Sequence, residues 1–281
     1  MNTISVHTLF KNEDRFLWYS VQSVIDYVDK LLLWDTGSTD DSVLIAKELK
    51  HRYPNKIDLK LVGEVNPEQF REVRADMLSA TNTDWFMVVD ADEVWWEKSI
   101  RDITDFIRQV RGLTYESVFV PSINMVGDIF HYQDESAGNY QIAGKKGHLG
   151  LRGINRMIPG LSSTNPHGTW GWSDKDKKMI QDRSARKIKF IHAPYMHMTF
   201  LQRSHGDKGD LLVPKRKKKL KYEMGIEVAK NYYYPESFFR ERPSFVRSPW
   251  CIMKTSFKKR AVFETPLKKI KRKLLTPGVG Y

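Results

Sequence analysis

Asp84-Trp-Phe-Met-Val-Val-Asp90-Ala-Asp92-Glu93 sets five apolar residues, Trp85 to Val89, directly before three carboxylates. A run this short, aromatic at one end and β-branched at the other, reads as a buried strand, and the acidic cluster marks where the chain leaves the core. Upstream, Ile4–Phe10 is followed by Lys11-Asn12-Glu13, and Leu31–Trp34 by Asp35-Thr-Gly-Ser-Thr-Asp40. Ile57–Val62 and Ser117–Val120 complete a series of short apolar runs.

The segments between these runs have helical spacing. Leu17, Val21, Val24 and Val28 share one face, as do Phe70, Val73, Met77 and Ala80, and again Ile100, Ile103, Ile107 and Val110. Asn66 before Pro67 is a cap-then-proline pair, and Thr39 to Ser42 precede the apolar Val43-Leu44-Ile45. The alternation predicts an α/β fold: a largely parallel central sheet with helices on both faces and ligands beyond the carboxyl ends of its strands. Residues 121–186 lose the rhythm and read as loop-rich substrate surface. Lys187–His192 reads as a last strand.

Composition narrows the class. The chain has 281 residues, 41% apolar and 12% aromatic, which excludes wholesale disorder, and no run approaches the ~20 apolar residues of a bilayer span. A single Cys251 excludes an internal disulfide framework and a cysteine zinc cluster. With a strand-like start at Thr3–Phe10 in place of a basic leader, a cytoplasmic location is the expectation. The net charge of +12 is uneven: residues 201–281 hold 21 Lys and Arg against 7 Asp and Glu, and residues 1–200 hold 25 against 27. The expected organisation is therefore a near-neutral body over 1–200, divided into 1–115 and 116–200, followed by a basic, mainly helical extension over 201–281.

Strand alternation would send Asp90 and Asp92 to one side of a strand end, where paired carboxylates can hold a hard divalent cation with positions left for a diphosphate. The bland reading of the same triplet is a solvated acidic turn capping the next helix. Asp35 is likewise either an acceptor for ligand hydroxyls or a turn residue. Arg74, on the helix before the acidic strand, is either solvated or able to reach a phosphate or nucleobase.

Ser5-Val-His-Thr-Leu-Phe-Lys-Asn-Glu13, Val28 to Asp40, Arg74 and Asp84 to Glu93 occur in the order and at the spacing of a known series. Together they resemble the nucleotide-sugar half of a family 2 glycosyltransferase of the GT-A fold, over roughly residues 3–115. The resemblance implies that Thr8, Glu13, Asp35, Arg74, Asp90 and Asp92 bind a nucleotide sugar, UDP- or GDP-linked. Asp35 and Arg74 would lie at the nucleobase region, Asp90 at the ribose, and Asp92 on a Mn or Mg ion bridging the diphosphate. Ala75 departs from the asparagine many relatives carry after that arginine. A cation at Asp92 would offset charge developing on the departing nucleoside diphosphate. The resemblance also implies an Asp or Glu base from the second half, for which Asp128, Asp134, Glu135 and Asp174 are candidates. Leu151 to Arg156 and His167-Gly168 resemble an acceptor-side arginine-then-histidine stretch, with Gly168 where a glutamate often stands. Phe190 to Thr199 resembles a histidine segment that supplies a metal ligand, with His197 favoured and His192 packing beneath it.

The implied activity is transfer of a sugar, with inversion, to a hydroxyl of a glycan or lipid-linked acceptor. The alternatives are a catalytically degenerate domain that binds carbohydrate or membrane, and a sugar-phosphate nucleotidyltransferase. The latter needs a glycine-rich, arginine-bearing loop where this chain has Leu9 to Glu13. Neither a dinucleotide-binding nor a P-loop glycine pattern follows any strand candidate. In the basic third, Thr265-Pro266 can start a helix on which Leu267, Ile270 and Leu274 share a face. Residues 254–275 then either lie on an anionic membrane, making the protein peripheral, or dock on their own domain. Nucleic acid is not an expected partner, since no recognition module accompanies the charge.

Overall fold

The computed structural model describes residues 1–166, 169–204, 210, 213, 216 and 221–274. Its core is the expected α/β layout. Strands β1 (Ile4–Phe10), β2 (Lys30–Asp35), β3 (Ile57–Leu61) and β4 (Trp85–Val88) are parallel and lie side by side in the order β4-β1-β2-β3. The register pairs Phe10 with Asp35 and His7 with Val88, so the polar residues after β1, β2 and β4 emerge at one edge.

Both faces of this sheet are covered. Val6, Leu31 and Leu33 pack into one apolar cluster with helices α1 (Leu17–Val24), α2 (Ser42–Arg52) and α4 (Glu97–Gln109). The alternate residues Leu9, Leu32 and Trp34 pack against Val73 and Met77 of α3 (Pro67–Ser79). Two-sided burial is why β1, β2 and β4 read as largely apolar runs, while the edge strand β3 is mostly exposed and alternates Ile-Asp-Leu-Lys-Leu. Helix α3 starts where Asn66-Pro67 predicts: the Asn66 carboxamide accepts from Gln69 N–H at 2.8 Å, and the Gln69 side chain accepts from Asn66 N–H at 2.9 Å. That cap fixes the helix that carries Arg74.

The second half departs from the loop-rich expectation. Leu149–Asn155 is a strand inside the sheet, antiparallel to β4 on one side and to β6 (Ser117–Val126) on the other. Its glycines disguise it. A Cβ on Gly150 would lie 2.7 Å from the Tyr195 hydroxyl and one on Gly153 3.0 Å from Ile107, so close packing excludes the β-branched residues that signal a strand. Nor is Lys187–His192 the last strand. Ile188–Phe190 and then Tyr195–Phe200 run parallel to successive parts of β6, and Tyr195–Phe200 also pairs with β5 (Glu93–Trp95).

The long helix begins at Thr255 and runs to Leu274, with Pro266 inside it; it does not start at Thr265-Pro266. Proline removes one backbone donor there. The Thr265 hydroxyl donates to the Ala261 carbonyl at 2.5 Å and accepts from Met224 N–H at 2.7 Å, which ties this turn to the body. Phe257, Ala261 and Thr265 form its buried face. Most of the basic run Lys215–Lys221, like residue 275, lies outside the described residues.

Candidate active site

The acidic motif is a turn, not the end of an alternating strand. Strand β4 stops at Val88, and Glu93 N–H donates to the Asp90 carbonyl at 3.0 Å. The two aspartates therefore face different partners. Asp90 is half-buried and lies 3.5 Å from Nη2 of Arg74. Asp92 is buried, with its Oδ2 3.4 Å from His197 Nε2 and paired with Nη1 of Arg203. His197 reaches Asp92 because Tyr195–Phe200 is zipped to β5, with His197 opposite Glu93.

Arginines from beyond residue 200 complete this end of the sheet. Arg203 Nη1 is also 3.1 Å from Glu13 Oε1, and Arg216 donates to that oxygen at 2.5 Å. Arg216 further donates to the carbonyls of Lys11 and Asn12 at 2.9 and 2.5 Å, clamping the turn after β1. Burial raises the Glu13 pKa to about 7; the two guanidiniums oppose this, and Asp92 and Asp210 reinforce it. Burial also works against charge on Arg203, but Asp92 and Glu13 outweigh it and hold its pKa above the ordinary arginine value.

The turns after β1 and β2 interlock. Asn12 adopts φ +55°, and its carboxamide oxygen accepts from Thr39 N–H at 2.7 Å, while its own N–H donates to Ser38 Oγ at 2.9 Å. Asp35 accepts from Gly37 and Ser38 N–H at 3.0 and 3.1 Å. Gly37 is required here: it sits at φ +88°, and a Cβ would meet the Glu64 backbone at 2.9 Å. Asp35 is thus buried and already spends part of its hydrogen-bonding capacity on its own turn.

Arg74 is buried, with its guanidinium over the rings of Trp170 and Phe70 at 4.9 and 5.3 Å. Burial lowers its pKa, and Asp90 partly offsets this. Among the described residues its Nε and Nη1 have no hydrogen-bond partner, nor has the hydroxyl of buried Thr8. Buried unmet donors carry a desolvation cost that an anionic ligand would relieve. Beneath the acidic turn, burial pushes the Glu93 carboxyl well up despite Arg152, which bonds both Glu93 and the Tyr195 hydroxyl, the latter at 2.7 Å.

The other residues singled out in the sequence are dispersed. Arg156 lies at the far end of β4, bonded to the Thr81 and Thr83 carbonyls with its N–H on the Asp84 carbonyl, so it does not join the acidic turn. Asp174 accepts from Asp176 and Lys178 N–H and pairs with Arg183, a turn-closing role. Asp128 accepts from Phe130 and Met253 N–H and from His131. Asp134 caps a single helical turn through Ser136, while exposed Glu135 has no side-chain hydrogen bond among the described residues. His192 is exposed and does not pack beneath His197. His167 lies outside the described residues.

Arg203 and Arg216 have no counterpart among the residues that the sequence pattern points to, and Arg152, inside the stretch Leu151 to Arg156, lies under the acidic turn on Glu93. Arg152, set between glycines in the apolar run Leu149–Asn155, carries a faint signal; the other two carry none distinct from the surrounding basicity.

The donor chemistry fits a divalent ion that shares its ligands with a diphosphate. Asp92 and His197 offer one carboxylate and one imidazole donor close together, and among the described residues no group of three or more His, Cys, Asp or Glu is placed to hold a metal alone. Magnesium-type sites that take one or two protein ligands and fill the rest from phosphate and water follow this pattern. Arg203 competes for the same Asp92 oxygen.

Residues 5–171 match the model of glycosyl transferase family 2. An uncharacterized glycosyltransferase of Rickettsia felis is 32% identical over 120 residues, 41% of this chain and 39% of that protein. A TPR repeat-containing protein of Synechococcus elongatus is 32% identical over 93 residues, 33% of this chain and 21% of its own. The chain thus spans about two fifths or less of the length of these curated relatives. Among solved structures, glucosyl-3-phosphoglycerate synthase from Mycobacterium tuberculosis in complex with Mn2+ and UDP-glucose aligns with TM-score 0.46 and 17% identity, over 74% of this chain and 73% of its own. Staphylococcus aureus TarS aligns with TM-score 0.44 and 13% identity, over 70% of this chain and 36% of its own.

Proposed function

The chain belongs to glycosyl transferase family 2, and on that premise we propose that it transfers a sugar, with inversion, from a UDP- or GDP-linked donor to a hydroxyl of a glycan or lipid-linked acceptor. The observation that carries this reading is the meeting of Asp92 and His197 at 3.4 Å beside a buried arginine, Arg74, with two unmet N–H donors. Asp92 and His197 would hold a Mn or Mg ion, which when bound supplies Lewis-acid stabilisation of the leaving diphosphate. Arg74, already fixed by Trp170 and Phe70, turns its spare donors to the nucleotide and needs little reorganisation to do so. Asp35 orients the nucleoside with the oxygen capacity its turn leaves over.

One observation favours a second reading, a domain that binds carbohydrate without turnover: Arg203 already neutralises Asp92. Asp92→Asn tests both. On the transferase reading, the variant stays folded, loses at least a hundredfold in sugar transfer, and no longer gains thermal stability from UDP on addition of Mn. Unchanged transfer and an unchanged Mn-dependent shift remove Asp92 from the reaction, and absence of any donor turnover in the unsubstituted protein leaves the binding module.

A further inference from the structure

The helix Thr255–Leu274 has two apolar faces, and among the described residues only one is buried. Phe257, Ala261 and Thr265 are buried against the body. On the opposite side Phe263, Leu267 and Ile270, spaced i, i+4 and i+7, are 78%, 67% and 53% exposed. The sequence left open whether the Leu267–Ile270 stripe docks on its own domain or faces outward; the helix docks by its other face and leaves that stripe in water.

The cations divide in the same way. Lys268 donates to the Tyr222 carbonyl at 2.6 Å and pairs with Glu264 at 2.9 Å, and Arg272 pairs with both oxygens of Glu223 at 2.6 Å, so the charges of the docked side are satisfied internally. Lys258, Lys259, Lys269 and Lys271 are exposed and form no ion pair among the described residues. By helical position Lys259 and Lys271 border the apolar stripe, one on each side, whereas Lys258 and Lys269 lie further round toward the docked face, Lys269 near enough to Asp134 to act on its charge. Over 255–274 the helix holds eight Lys and Arg against one Glu.

We propose that this outer face of the helix is the protein's attachment to an anionic lipid surface, with Phe263, Leu267 and Ile270 entering the headgroup boundary and Lys259 and Lys271 meeting acidic headgroups. An apolar stripe bordered by cations is what such a surface satisfies on both counts. A second copy of the chain would set the same lysines against each other. A nucleic-acid backbone would satisfy the lysines but leave the stripe in water. The proposal goes beyond the transfer reaction and is independent of it.

The test is co-sedimentation of the whole chain with phosphatidylcholine vesicles, with and without phosphatidylserine, at low and high salt. Binding is expected to require phosphatidylserine and to weaken as salt rises. Replacing Lys259 and Lys271 with Gln one at a time should weaken it by about fivefold per lysine, and replacing Lys258, on the docked side, should weaken it less. The triple variant Phe263→Ser, Leu267→Ser, Ile270→Ser should lose at least tenfold while keeping its circular dichroism and thermal midpoint, since all three side chains are exposed. Equal binding to neutral vesicles, a triple variant that binds undiminished, or a dimer in light scattering that the triple variant dissolves would each overturn the assignment.

Discussion

Glu13→Gln isolates a strongly perturbed carboxyl of the site. Glu13 is 5% exposed, with Oε1 between Arg216 and Arg203, and among the described residues its Oε2 accepts no hydrogen bond. Two cations would ordinarily depress a carboxyl, but here burial prevails and the pKa stands at about 7 against an ordinary 4.5. The sign follows from linkage. Between 4.5 and 7 the folded protein holds this proton more tightly than the unfolded chain, so the contribution to stability is full below 4.5 and is lost as pH rises through 7. Two and a half pH units correspond to about 3 kcal/mol in all, most of which falls between pH 5 and pH 8. The glutamine variant lacks this titration, while every other ionising group is common to both proteins.

The assay is thermal or urea unfolding of both proteins at pH 5, 6, 7 and 8. The stability of the natural protein minus that of the variant should decline steadily by about 2 to 3 kcal/mol, or about 5 °C at roughly 2 °C per kcal/mol for a chain of this size. A flat difference would mean that Glu13 titrates alike in both states. A difference that grows with pH would mean that the guanidiniums dominate and the carboxyl is depressed, which would refute the balance drawn from its burial.

Arg203→Ala leaves Asp92 and Glu13 buried without one shared cation and should lower stability by about 3 kcal/mol at pH 8, with Mn and UDP together restoring more thermal stability than they add to the natural protein; an unchanged midpoint would show that the ion pair is not formed in solution. Arg74→Ala should weaken UDP binding in calorimetry at least tenfold, from charge-assisted hydrogen bonds worth about 1.5–3 kcal/mol, and an unaltered Kd would place the nucleotide elsewhere.

What could be read in the sequence is what lies close together along it. Strands β1, β2 and β4 are buried on both faces, so each appears as a largely apolar run, and the residues after them share an edge because parallel register puts those exits on one side. Asp35, Asp90 and Asp92 are legible for that reason. Their side-chain directions are not: the turn closed by Glu93 N–H on the Asp90 carbonyl separates two aspartates that strand alternation would have aligned. The strand Leu149–Asn155 is hidden by the glycines its tight packing demands.

The arginines show the deeper limit. Arg152 meets Glu93 across 59 residues of chain, Arg203 meets Asp92 across 111 and Arg216 meets Glu13 across 203. An arginine in a lysine-rich segment has no local mark of burial; only the return of the chain over the sheet edge decides it. That return also revises the meaning of the charge asymmetry. Arg203 and Arg216 neutralise carboxylates of the acidic edge, and Lys268 and Arg272 are held by Glu264 and Glu223, so these cations do not project a field into solvent. In the long helix Lys259 and Lys271, exposed and unpaired among the described residues, stand on either side of Phe263, Leu267 and Ile270. The basic third of the chain thus divides into cations that complete the site and cations that face away from it, and the two sets can be removed separately.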